Sequence, residues 1–354
     1  MAMHQLPPEL VVRIFESLTS VSDILSLSLA CRYFNNLLTK SQKLSLFFIA
    51  MDKEIGPMED ILQLLTQNNN QVLHLHRSPP LSFTLLAQAN TIARVADRFA
   101  KLYPSFRWAE SKSAQRRSLD DREARRLRRA VYRFWSYTQA FYAKLAPRPI
   151  RLDMLAATER LQLLRTWCTD DLYELEDLRW TFEQLLASEI CPTDGEIFSR
   201  ISDDTRLSNT LFQSSSRRNL AASSMAIENI FHSSRNTQEL DRNKPTIQEL
   251  RFRHMQGWGS DLQNFYLVQS FLKCTPAQIL WLYDNTVIKQ DVEQFIELQT
   301  HDPCFFESNS MLFHDWVTVL HARGIDVQKA REAIWSGSAG ITRRTGGPLC
   351  EDDS

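Results

Sequence analysis

The chain has 354 residues, long enough for about two domains, and 43% hydrophobic content gives it the means to bury an ordinary globular core. Its 41 basic and 42 acidic residues leave a net charge of −1, which excludes any global electrostatic attraction to nucleic acid or to a membrane. Only 9 glycines and few alternating β-branched runs argue against an α/β enzyme built on Gly-rich turns, so the expected fold class is all-α.

Residues 5–49 carry the strongest local pattern. Leu6-Pro7-Pro8-Glu9-Leu10 reads as a helix start, because a proline in the first turn lacks an N–H that would have no partner there, and the helix dipole favours Glu9. Leu10, Ile14 and Leu18 then recur at four-residue steps, Val11 and Phe15 widen the stripe, and the helix is predicted to end near Thr19. Ser20 and Asp23 have the spacing of a capping box for a second helix, whose Ile24, Leu27 and Cys31 form one face. Leu25 and Leu29 point elsewhere, and Phe34, Leu37 and Leu38 follow at once. Three short helices cannot bury all of this among themselves, so part of the surface is expected to be covered by another body.

Leu6-Pro7-x-Glu9-Leu10, Ile14, Leu18, Asp23-Ile24-Leu25-x-Leu27 and Ala30-Cys31-Arg32-x-Phe34 together resemble the F-box, over about an eighth of the chain. In that family three helices dock on the Skp adaptor, which a cullin scaffold holds in SCF-type ubiquitin ligases. The resemblance implies a three-helix F-box at 5–49 whose Leu6, Pro7, Glu9, Leu10, Ile14, Leu25, Leu27, Cys31 and Arg32 hold the Skp adaptor. Two features depart from the family pattern: the turn from Thr19 to Ser22 is slightly longer, and Leu46-Phe47-Phe48 stands where Leu-Trp is usual. The same residues also fit a plain helical hairpin, so the alternative is a helical interaction scaffold not assembled into a ubiquitin ligase.

Behind this segment, Met58, Ile61, Leu62 and Leu65 predict a short helix over 57–66, broken by Asn68-Asn69-Asn70. His74 and His76 flank Leu75, but neighbouring acidic or cysteine ligands are lacking and Pro79-Pro80 follows, so no metal site is assigned. From Leu81 to Tyr103 apolar residues keep helical steps, and Pro104 is expected to end that helix. Residues 107–133 then hold ten basic against four acidic residues. Ser118 and Asp121 have a capping-box spacing; Leu127, Ala130, Val131, Phe134, Trp135, Thr138, Phe141, Tyr142 and Leu145 form one face, with the arginines opposite. These aromatics keep the buried period, which marks them as core rather than as platforms for nucleic acid bases.

Residues 170–189 carry seven acidic residues against Arg179. Pro147 and Pro149 force a turn before a long stripe from Leu161 through Leu164, Cys168, Leu172, Leu175, Leu178 and Phe182 to Leu185, so the basic and acidic helices are expected to pair their charged rims. Exposed pairs of that kind contribute only ~0.2 to 1 kcal/mol each. Residues 202–245 are dense in Ser and Asn and read as a long loop. Further helices are predicted after Ser260, after Thr275-Pro276, around Val292 to Ile296, from Met311 to a Gly324 cap, and from Asp326 to Trp335; 337–354 has the composition of a disordered tail. Residues 57–336 thus form a helical region, similar to the C-terminal domains of fungal-type F-box proteins, that would hold an unnamed target protein.

No phosphate-cradling glycine loop, H-E-x-x-H or C-x-x-C occurs, and no cofactor is implied. Cys304 lies near His301 and Asp302, but spacing alone makes no nucleophile. The missing Cys/His zinc pattern argues against a RING, so the chain reads as an adaptor and not an enzyme. Cys31, Cys168, Cys191, Cys274, Cys304 and Cys350 are scattered with no signal peptide in view, which predicts free thiols in cytoplasm or nucleus. No apolar run approaches the ~20 residues that span a bilayer.

Overall fold

The computed structural model describes residues 7–67, 75–108, 117–142, 153–200, 256–300 and 314–343, with 246, 247, 250, 251 and 254. Leu6, His74, the 202–245 stretch, the His301 to Cys304 trio and the last eleven residues lie outside these. Among the described residues there is no strand, so the fold is all-α as expected. The helices are α1 (Pro8–Ser17), α2 (Val21–Ala30), α3 (Arg32–Leu37), α4 (Lys40–Ile55), α5 (Met58–Leu65), α6 (Phe83–Arg107), α7 (Asp121–Phe141), α8 (Asp153–Arg165), α9 (Thr169–Leu185), α10 (Asp261–Phe271), α11 (Pro276–Asn285), α12 (Lys289–Thr300), α13 (His314–Ala322) and α14 (Val327–Trp335). They fall into two compact units: Met1–Gln184 with Leu272–Gln278 and Met311–Ser354, and Leu185–Phe271 with Ile279–Ser310.

In the first unit α7 packs against α5, α6 and α8, and its Leu127, Ala130, Val131, Tyr132, Phe134 and Tyr137 are fully buried. Its cap differs from the predicted Ser118 and Asp121 pair. Asp120 Oδ1 accepts from the Glu123 amide at 2.8 Å, and Glu123 Oε2 accepts from the Asp120 amide at 3.0 Å. Glutamate is long enough to reach back across the first turn, and Arg117 clamps it with bonds of 2.5 and 2.6 Å.

Pro104 does not end α6, which runs on to Arg107. The missing N–H and ring clash cost about 3 kcal/mol in a helix interior. Packing on both sides of the proline offsets that cost: Tyr103 is 1% exposed, and the Arg107 guanidinium lies 3.2 Å from Asp177 and donates to the Ile334 carbonyl at 2.5 Å. The predicted stripe from Leu161 to Leu185 is also two helices, broken at 166–168, where Asp171 Oδ2 accepts from the Cys168 amide at 3.1 Å and so starts α9.

The basic and acidic stretches do meet, but in the interior and not along solvent-facing rims. Arg129 pairs with Glu174 and Asp171, Arg133 with Asp60 and Asp171, and the Asp171, Glu174 and Asp60 side chains are only 7%, 3% and 14% exposed. The arginines therefore do not occupy one solvent face of α7. Its aromatic content already covers the opposite side, and carboxylates on α5 and α9 draw the guanidinium groups inward.

Gly324 closes α13 at φ +72°, and Asp326 caps α14 through the Gln328 and Lys329 amides. Residues 337–343, assigned by composition to a disordered tail, are instead docked: Ile341 is fully buried and its amide donates to Asp177 Oδ2 at 3.0 Å. Arg126 holds the same stretch by its Ile341 and Arg343 carbonyls.

In the second unit a π-helical turn, Leu186–Ile190, is fastened by Trp258, whose Nε1 donates to the Ile190 carbonyl at 3.1 Å. Arg251 is buried and donates to the Leu282, Tyr283 and Thr286 carbonyls at the end of α11, where the Leu282 carbonyl also accepts from the Thr286 amide and hydroxyl.

Candidate docking surface

The first four helices share one small core of Val11, Phe15, Ile24, Phe34, Leu38, Leu46 and Ala50. Their caps explain why the chain turns where it does. Pro7 precedes α1 with no side-chain cap, and Pro8 and Glu9 fill the first turn. Ser20 caps α2 through the Ser22 amide at 3.2 Å, and Glu54 of α4 reaches the Val21 amide at 3.0 Å. Asp23 stands in that first turn, although the cap is this single bond and not a reciprocal box. Cys31 closes the turn into α3, its Sγ accepting from the Phe34 amide at 3.5 Å. Thr39 and Gln42 form a full capping box at the start of α4.

What this core leaves outside is apolar. Leu10 on α1 is 46% exposed, and Leu25 and Leu29, one turn apart on α2, are 44% and 78% exposed. Tyr33 adds a partly open ring beside the buried Phe34. Fully burying one such leucine is worth about 1.5 to 3 kcal/mol, so these side chains are a reservoir of binding energy that intramolecular packing does not use.

The residues singled out from sequence separate into three groups. Pro7, Glu9, Leu10, Leu25 and Arg32 are exposed. Ile14 is half-buried beside Leu10, one turn further along α1. Leu27 and Cys31 pack against the core, so their first role is to hold α2 and α3 in place. Leu6 lies outside the described residues. Leu29, read from the sequence as part of the apolar excess on α2 but not as an adaptor contact, is the most exposed of these leucines at 78%, and Tyr33 on α3, 37% exposed, was not read as part of the surface.

Charged side chains flank the leucines: Glu9, Arg13, Glu16, Asp23 and Arg32 are exposed on α1 to α3, and Lys43 donates to Asn35 at 2.7 Å. Among the described residues no cluster of His, Cys, Asp or Glu suits a metal ion, and His76 lies against Glu59 at 3.1 Å. Cys31, Cys168, Cys191 and Cys274 are free thiols. No described helix is long and apolar enough to cross a membrane. The exposed leucines give this surface apolar area that a partner could bury.

Compared with known proteins, residues 3–44 match a family model described as F-box-like. No curated protein and no solved structure matches the chain.

Proposed function

From the premise that residues 3–44 are an F-box-like domain, we propose that this protein is a substrate receptor of an SCF-type cullin-RING ubiquitin ligase. F-box domains in general bind Skp-type adaptors. Here Leu10, Ile14, Leu25 and Arg32 would meet that adaptor, Leu27 and Cys31 would shape the surface from beneath, and the helical remainder would hold a target protein. The observation that carries the reading is the row of exposed leucines, 44% to 78% open, on helices whose opposite faces are fully packed. Such a receptor needs no catalytic residue: tethering raises the effective concentration of a target lysine near the conjugating enzyme. It would work in the cytoplasm or nucleus, where free thiols stay reduced.

Co-expression with a Skp-type adaptor tests this. A complex should survive gel filtration, and Leu10→Asp should abolish it by placing a charge in a desolvated interface while leaving helical content unchanged. A chain that remains monomeric beside the adaptor overturns the reading in favour of an interaction scaffold outside any ligase.

A further inference from the structure

A cleft of about 310 Å³ opens in the first unit beside α5, α7 and the α8–α9 turn, bordered by Gln63, Leu75, Arg77, Arg133, Leu163 and Trp167. That volume is within the range of sites that hold small ligands or a few side chains. Its charged groups are of two kinds. Asp60 accepts from Arg133 Nε at 2.9 Å, and Glu59, largely in solvent, lies 3.1 Å from His76 Nδ1. Arg77 is different. Its Nη1 donates to the Thr66 carbonyl at 2.7 Å and its Nε to Gln63 Oε1 at 3.4 Å, and no carboxylate pairs with it among the described residues. Burial pulls its pKa down, as expected for a guanidinium balanced only by neutral oxygens.

Those two bonds also fix the guanidinium plane, so little side-chain entropy remains to be lost when a ligand arrives. Apolar side chains line the same cleft: Leu75 is 57% exposed, and the largely buried Trp167, with Arg133 5.6 Å from its ring centre, forms part of the wall. Glu59 lies in solvent beside His76, and Asp60 is buried against Arg133, which leaves Arg77 as the arginine of the wall with no carboxylate partner among the described residues.

We propose that this cleft binds a short peptide segment of a partner protein, Arg77 pairing with an Asp or Glu side chain while Leu75 and Trp167 cover a neighbouring apolar residue. Arg–carboxylate pairs are strong when partly desolvated and planar, and Arg77 supplies both conditions. Naming the partner as a degradation target rests on the receptor reading above; the binding itself does not.

The test uses the full chain and immobilised N-acetylated, C-amidated hexapeptides that differ only by Glu or Gln at one position beside a leucine. Glu peptides should be retained at least tenfold more strongly than Gln peptides. Arg77→Gln should remove that preference, and so should Leu75→Glu, which leaves the Thr66 and Gln63 contacts intact and sets a negative charge at the rim. Equal retention of Glu and Gln peptides, retention of neither, or a preference that survives Leu75→Glu overturns the proposal. Leu10→Asp should leave peptide retention unchanged, and a parent chain that retains Glu peptides yet captures no adaptor would sink the receptor reading alone.

Discussion

Arg129 grips Glu174 with two hydrogen bonds, Nε to Oε2 at 2.9 Å and Nη2 to Oε1 at 2.5 Å, joining the middle of α7 to α9. The same guanidinium lies 3.3 Å from Asp171, which also faces Arg133. Removing one partner from such a buried cluster leaves an uncompensated charge, which costs about 3 to 5 kcal/mol, whereas replacing a pair by apolar residues of similar size is often neutral. Arg129→Met should therefore lower the apparent unfolding free energy by about that amount, and Arg129→Met with Glu174→Met should recover most of it. Urea denaturation followed by circular dichroism measures both, and equal losses in the single and double variants would contradict the cluster as described.

The cluster also sets a pH dependence. Asp60, Asp171 and Glu174 face Arg129 and Arg133, so three carboxyls share two guanidinium groups. One proton relieves the excess. Burial pushes Glu174 up to about 7 despite Arg129, while Arg133 and Arg129 outweigh burial at Asp171 and hold it low. A raised folded pKa means that the folded state binds more protons than the unfolded one between the ordinary glutamate range and about 7. Stability should therefore fall as pH rises through that window. Thermal melts from pH 5 to pH 8 should show a declining midpoint, and Glu174→Gln should flatten the decline; an unchanged slope in that variant would assign the effect elsewhere.

At the far end of the chain, Gly340 has φ +78°, and a Cβ there would meet Asp177 Oδ2 at 2.7 Å. That oxygen is already shared by Tyr103 Oη and the Ile341 amide, each at 3.0 Å. Gly340→Ala thus combines left-handed backbone strain with a clash against a buried acceptor, together about 1 to 3 kcal/mol. The expected result is release of residues 337–343, read as faster proteolysis at Arg343 and a lower melting midpoint, with adaptor binding unaffected.

How far the sequence revealed this molecule depends on the range of the interaction involved. Helical period and cap residues correctly located α1, α2, α5 and α14, because those signals act within one or two turns. The fate of Pro104 was hidden, since its helix is held open to continuation by Asp177, far along the chain. The docking of 337–343 was hidden for the same reason: the Ile341 amide and Asp177 are 164 residues apart, and composition around Gly337 and Gly340 records only backbone freedom. Pairing of the basic and acidic stretches was visible from charge alone, but not its burial, which depends on Asp60 arriving from α5. On the docking surface, alternation along α2 showed that too many leucines were present without showing which ones the core would take.

Leu27 and Leu29 make that last division testable. Leu27 packs against the core of the first four helices, whereas Leu29 is 78% exposed. Placing an aspartate at each should therefore give opposite phenotypes. Leu27→Asp sets a charge against this apolar core and should destabilise the N-terminal helices, as should Phe15→Ala, for which a buried aromatic lost to a cavity costs about 3 to 5 kcal/mol. Leu29→Asp should leave the helices intact, because water already covers most of that side chain, and should weaken adaptor capture at least as much as Leu10→Asp. Hydrogen exchange of residues 8–55 separates loss of fold from loss of contact. If Leu29→Asp captured the adaptor as well as the parent chain does, the outer face of α2 would lie outside the interface and the docking surface would shrink to α1 and the α2–α3 corner.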